Sequence, residues 1–76
     1  MYKESFHARI KKTRTDAELT QMQVAQDTGI SQSIIAYLET GKREPSLENL
    51  GILADYYNVS IDYLLGTKAS SSYQKR

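Results

Sequence analysis

Gln32, Ser33, Ala36, Tyr37 and Thr40 stand at i, i+1, i+4, i+5 and i+8, a spacing that gathers their side chains on one face of a helix. The Gln32 amide offers a donor and an acceptor together, the pair that matches N6 and N7 of adenine. Ser33 can bond almost any base edge. Ala36 offers only a methyl, suited to the methyl of thymine, and Tyr37 presents a hydroxyl on an apolar ring to a base or a phosphate. A face this short and polar suits the major groove of DNA. The chemistry is that of recognition rather than turnover. His7 is the one histidine in the chain, has no second ligand or nucleophile at a recognisable spacing, and reads as a surface residue. Without paired catalytic groups or the volume for a pocket, an enzyme is disfavoured, and no metal or cofactor is implied.

The stretch from Thr20 to Pro45, TQMQVAQDTGISQSIIAYLETGKREP, supplies the elements that must position this face. Ala25 is small where a second helix must cross, Gly29 can take the positive φ of a sharp turn, and Ile35 points back into the joint. Val24, Ile30 and Leu38 fill the remaining inward positions, which makes the stretch a helix-turn-helix. Thr20 with Gln23 forms a capping-box pattern, so helix 2 is expected from Gln21 to Thr28. Ser31 caps helix 3, which Gly41 ends. Before this unit, helix 1 is expected from about Lys3 to Ala17, with Phe6, Ile10 and Ala17 inward. After it, Ser46 caps helix 4, with Leu47, Leu50, Leu53, Ala54 and Tyr57 on its buried side and Asn58 at its exit. Ser60 opens a last helix, Ile61 to Leu65, ended by Gly66. No strand pattern and no internal repeat appears.

With 76 residues the chain has room for one domain and a small core, near the size where helix packing or dimerisation must help. There is no cysteine, so neither a disulfide framework nor a thiolate zinc site can staple it. No apolar stretch approaches the roughly 18–20 residues of a membrane helix, and MYKESFHARIKK lacks the apolar run of a signal peptide. The expectation is a cytoplasmic protein with no membrane partner. The formal net charge of +1 argues little, because a nucleic-acid surface needs a basic patch and not a basic total. Arg9, Lys11 and Lys12 lie in the first segment and Lys42 and Arg43 follow helix 3, while acids gather later at Glu48, Asp55 and Asp62.

Residues from about Phe6 to Gly66 resemble the Cro/CI-type (Xre) helix-turn-helix regulators of phages and bacteria. The landmarks are Arg14, the Leu19-Thr20-Gln21 triplet, Ala25, Gly29, Ile30-Ser31, Leu38-Glu39, Gly41-Lys42, Pro45-Ser46, Leu53-Ala54 and Val59-Ser60. Each is weak alone, but their joint spacing is specific. The resemblance implies an all-α, five-helix, lambda-repressor-like DNA-binding domain over residues 1–66. The small, polar and basic residues 67–76 are expected to form a flexible tail able to add weak phosphate contacts. In the family's docking mode helix 3 enters the major groove and helix 2 crosses the backbone. Gln32, Ser33, Ala36 and Tyr37 would then contact bases. Gln21, with the amides at the start of helix 2, would meet a phosphate, as would Thr40, Lys42 and Arg43. Arg14 and Glu39 fall where the family places an internal ion pair joining helix 1 to the end of helix 3.

Three positions depart from the family pattern. Thr28 stands where an aliphatic residue is usual and keeps roughly the shape of valine. Ile34 stands where a small hydroxyl is common and reads as partial core packing, the alternative being contact with a thymine methyl or the DNA sugar edge. Gly51 interrupts helix 4 at a cost of about 1 kcal/mol relative to alanine unless another helix approaches closely. Ile52 and Tyr56 on the outer flank of helix 4, with Tyr63 on helix 5, are expected dimer contacts. The whole implies a sequence-specific transcriptional regulator, a repressor that binds a palindromic operator as a homodimer. The alternative is a protein-interaction module, such as the antitoxin that neutralises a toxin or the target of an antirepressor.

Overall fold

The computed structural model describes residues 6–66 of the chain. The expected tail and the expected start of helix 1 at Lys3 lie outside the described residues. Five α-helices follow in order: α1 Phe6–Asp16, α2 Gln21–Thr28, α3 Gln32–Thr40, α4 Leu47–Tyr57 and α5 Ile61–Leu65. The architecture is all-α and lambda-repressor-like, with no strand among the described residues. Four serine or threonine hydroxyls set the helix starts: Thr20, Ser31, Ser46 and Ser60 each accept the backbone N–H three residues on. At Thr20 the box closes in both directions, with the Gln23 N–H donating to Thr20 Oγ1 at 3.0 Å and the Thr20 N–H donating to Gln23 Oε1 at 2.9 Å.

One core joins the helices, built on Ile10, Val24, Ile30, Ile35, Leu38, Leu53, Ala54 and Leu64. Three sequence expectations fail at its margin. Ala17 is exposed and lies beyond α1, because Glu18 turns the chain with φ 61° and lets Leu19, not Ala17, pack against the core. The inward position after Ile10 belongs to Thr13, whose hydroxyl is satisfied by the Arg9 carbonyl at 2.7 Å and so is buried without penalty. Leu47 shares the periodicity of the buried face of α4 but is 78% exposed. Ile52 and Tyr56, expected on an outer flank, instead pack partly against the core. At Gly51 an added Cβ would meet nothing within 4 Å among the described residues.

Candidate nucleic-acid interface

The turn between α2 and α3 is built from polar contacts as much as apolar ones. Gly29 takes φ 83° and its N–H donates to the Ala25 carbonyl at 2.9 Å. Thr28, treated in sequence as a stand-in for valine, uses its hydroxyl instead. It donates to the Val24 carbonyl at 2.7 Å and accepts the Ile30 N–H at 3.2 Å, which ties the end of α2 to the first residue after the turn. Ser31 then caps α3, while Ile35 and Leu38 pin that helix to the core. With these two inward, Gln32, Ser33 and Thr40 are exposed, Tyr37 is 42% exposed and Ala36 is half-buried. Ile34 is half-buried against the core.

A network of charge-assisted hydrogen bonds holds the far end of α3 to α1 and α2. Arg14 donates through Nε to Glu39 Oε2 at 2.7 Å and through Nη2 to Glu39 Oε1 at 2.9 Å, a two-pronged pair. The same guanidinium donates through Nη1 to the Leu19 carbonyl at 2.7 Å. Gln21 Nε2 adds a donor to Glu39 Oε1 at 3.0 Å. The hydrogen bond to Glu39 holds the Arg14 guanidinium further above its ordinary range, against the opposing effect of burial. Nearby, burial pushes the Tyr57 hydroxyl well above the usual phenol range, and the negative charge of Glu39 adds to the shift. Gln21 and Glu39 thus meet at the C-terminal end of the recognition helix.

The loop that leaves α3 wraps around a single carbonyl. The N–H groups of Gly41, Lys42 and Arg43 converge on the Tyr37 oxygen at 3.0, 3.0 and 3.4 Å, and both basic side chains are exposed. The next carbonyl, that of Leu38, is taken by His7, whose Nδ1 donates to it at 2.7 Å. His7 is therefore not the surface residue expected. It is half-buried, its ring lies 3.9 Å from that of Phe6, and a Cβ added to Gly41 would stand 3.3 Å from its Cδ2. One signal in the sequence could have placed it. His7 and Arg14 are separated by two helical turns and so share the face of α1 that meets the end of α3.

The expected dimer residues stand apart from this surface and have partners within the chain. Tyr56 donates its hydroxyl to Asp27 Oδ2 at 2.6 Å, bridging α4 to α2, and that hydrogen bond raises the phenol above its ordinary range. Tyr63 lies under the Arg9 guanidinium, 4.6 Å from ring centroid to Cζ, while Arg9 Nη1 donates to the Tyr63 carbonyl at 3.2 Å.

The helix-turn-helix family model matches residues 10–64, and it spans the capped pair α2 and α3 together with the core that holds them. The chain belongs to the Cro/CI-type helix-turn-helix family. This is a family of transcriptional regulators and not of enzymes. Among its relatives, the chain is 40% identical over 58 residues to the uncharacterized HTH-type transcriptional regulator YobD of Bacillus subtilis, covering 76% of this chain and 52% of that one. It is 36% identical over 67 residues to the cryptic phage CTXphi transcriptional repressor RstR of Vibrio cholerae, covering 88% and 60% of the two chains. The structure is similar to that of the P22 c2 repressor protein in complex with a synthetic operator, with a TM-score of 0.77 at 31% identity over 82% of this chain and 94% of that one. The helix-turn-helix chain described here spans about half the length of the curated relatives it matches.

Proposed function

We propose that this helix-turn-helix protein is a sequence-specific DNA-binding transcriptional regulator, a repressor that occupies a palindromic operator as a homodimer. The observation that carries the reading is α3. Its C-terminal end is fixed by side chains from α1 and α2 and its start is capped by Ser31, yet it turns Gln32, Ser33 and Tyr37 to solvent. The structural likeness to a repressor bound to its operator supports the same docking, in which the first residues of the recognition helix meet base edges. Gln32 then reads an adenine through its paired donor and acceptor, Ser33 and Tyr37 add hydroxyls, and Ala36 offers its methyl to a thymine.

Gln21 has two amide hydrogens and spends one on Glu39, which leaves the second for a phosphate at the start of α2. Thr40, Lys42 and Arg43, at and just beyond the C-terminal end of α3, bind the backbone without reading sequence. Arg14 and Glu39 act as structure, their charges consumed by one another.

Homodimer formation is supported by the face of α4 and α5. Leu47 projects there beside an open groove of about 760 Å³ whose lining includes Gly51, Ile52, Val59 and Ile61. A leucine and a side-chain-free position one turn apart on one helix can exchange places across a twofold axis. The lining also includes Glu48, Asp55 and Asp62.

Selection of bound sequences from a pool of random duplexes tests the proposal. The expected result is an enriched inverted repeat with half-sites about one helical turn apart, roughly 34–36 Å. Recovery of no motif overturns sequence-specific binding, and a single ungapped half-site overturns the dimer.

A further inference from the structure

We propose that His7 is a positioning residue for the phosphate-facing loop Gly41–Arg43, setting the direction in which Lys42 and Arg43 leave the recognition helix. The inference rests on the reading of those two side chains as phosphate contacts. The last carbonyls of a helix have no partner within it and must be satisfied from elsewhere. Here the work is divided between the loop and α1. The Tyr37 oxygen gathers the N–H groups of residues 41, 42 and 43. The Leu38 oxygen is left to His7 Nδ1, at 2.7 Å. The same ring closes against Gly41, where a Cβ would come within 3.3 Å of its Cδ2 and where φ is 90°.

One side chain from the first turn of α1 therefore fixes both the end of α3 and the residue at which the chain reverses. Phe6, packed on the core and 3.9 Å away ring to ring, backs the imidazole. Removal of the donor leaves the Leu38 carbonyl to be bonded by water or by a loop amide. A loop amide can reach it only by leaving Tyr37, and that movement turns Lys42 and Arg43. His7 itself needs no contact with DNA for this effect.

Two substitutions separate the parts of the contact. His7→Phe keeps a ring against Gly41 and removes the donor. His7→Asn keeps a donor at the position of Nδ1 and removes the ring. Each is made in the full chain, alone and together with Lys42→Ala and Arg43→Ala. The probe is a random-sequence duplex of about 20 base pairs at roughly 50 mM salt, where phosphate contacts dominate binding. Binding is read by fluorescence anisotropy at a temperature where every variant retains its helical circular dichroism. Amide exchange of residues 41–43 is followed by NMR.

The expected result is that His7→Phe weakens duplex binding about five- to tenfold, and that the loss disappears in the Lys42→Ala/Arg43→Ala background. His7→Asn recovers most of the affinity and most of the protection of the loop amides. Equal loss in both backgrounds overturns the inference, because His7 would then act through the stability of the fold or touch DNA itself. So does unaltered affinity in His7→Phe when Lys42→Ala/Arg43→Ala is weakened. If Lys42→Ala/Arg43→Ala binds the duplex as the unmodified protein does, the phosphate assignment falls and the role of His7 falls with it.

Discussion

Replacing Arg14 by methionine tests how the recognition helix is held. Methionine keeps much of the apolar stem and removes the cation, so the loss is confined to the polar network. The Glu39 side chain is 2% exposed and, among the described residues, would keep only Gln21 Nε2 as a donor, while the Leu19 carbonyl loses a partner at 2.7 Å. Breaking a buried pair by removing one partner costs about 3–5 kcal/mol, because the remaining charge is left without compensation. A chain of this size is stable by about 4–11 kcal/mol, so the variant sits close to unfolding. Urea unfolding followed by circular dichroism should place its midpoint lower by about 2 M or more, at a slope of roughly 1–2 kcal/mol per molar. The double variant Arg14→Met/Glu39→Leu removes both charges and should lie within about 1–2 kcal/mol of the starting protein, since apolar replacement of a whole buried pair is often neutral. A loss below about 1 kcal/mol in Arg14→Met would refute the buried-pair argument. A double variant as unstable as the single one would show that Arg14 stabilises by bonding Leu19 and not by neutralising Glu39.

On the DNA-facing side, Gln32→Ala should weaken binding to the selected operator by about 1–3 kcal/mol and relax preference at one base pair per half-site. Lys42→Ala and Arg43→Ala should weaken binding to every sequence alike, each flattening the log–log salt dependence by about 0.9, and a changed motif with an unchanged slope would contradict the assignment. Leu47→Glu should leave the melting temperature nearly unchanged, because the residue is already 78% exposed, while reducing cooperative occupancy of the full palindrome in sedimentation and gel-shift titrations. At alkaline pH the folded protein holds the Tyr57 proton by burial first and by the charge of Glu39 second, so its phenol ionises in the unfolded chain before it does in the folded one. Stability should therefore be fully expressed below about pH 10 and fall above it, by at most about 1.4 kcal/mol per pH unit for this group and less where water screens the half-buried ring. Tyr57→Phe should flatten that alkaline limb in urea titrations, and an identical limb in the variant would exclude Tyr57 as its source.

The periodic apolar positions were legible because the fold is made of them: Val24, Ile30, Ile35 and Leu38 are all buried, and the four capping hydroxyls stand where their spacing placed them. Periodicity failed where it ran past its neighbours. Leu47 keeps the period of α4 but is exposed, and Ala17 keeps the period of α1 one residue past its end at Asp16, just before the left-handed Glu18 turns the chain. Polar residues with tertiary roles were harder to read. Thr28 and His7 are each defined by a carbonyl supplied by the folded backbone, and no pattern of side-chain types announces a carbonyl. The bond of Tyr56 was hidden for a related reason: its ring is amphipathic, and only the fold brings Asp27 within 2.6 Å of its hydroxyl.

This division between what the fold uses and what it leaves free bears on how such a protein can change its target. The side chains that hold α3 belong to other helices or point inward: His7, Arg14 and Gln21 from α1 and α2, with Ile35, Leu38 and Glu39 from α3 itself. The exposed positions Gln32 and Ser33 enter none of these contacts among the described residues, and the starting cap of the helix is supplied by Ser31, one residue earlier. Substitution at Gln32 or Ser33 therefore costs the fold little beyond helix propensity, a few tenths of a kcal/mol, while the same change at a base edge is worth about 1–3 kcal/mol. Specificity can move by an order of magnitude or more at nearly constant stability. Gln21 is the exception, since its amide belongs to the Glu39 network and on the proposed docking also meets a phosphate. A substitution there should cost stability and affinity together, which sets it apart from every other proposed DNA contact on this face.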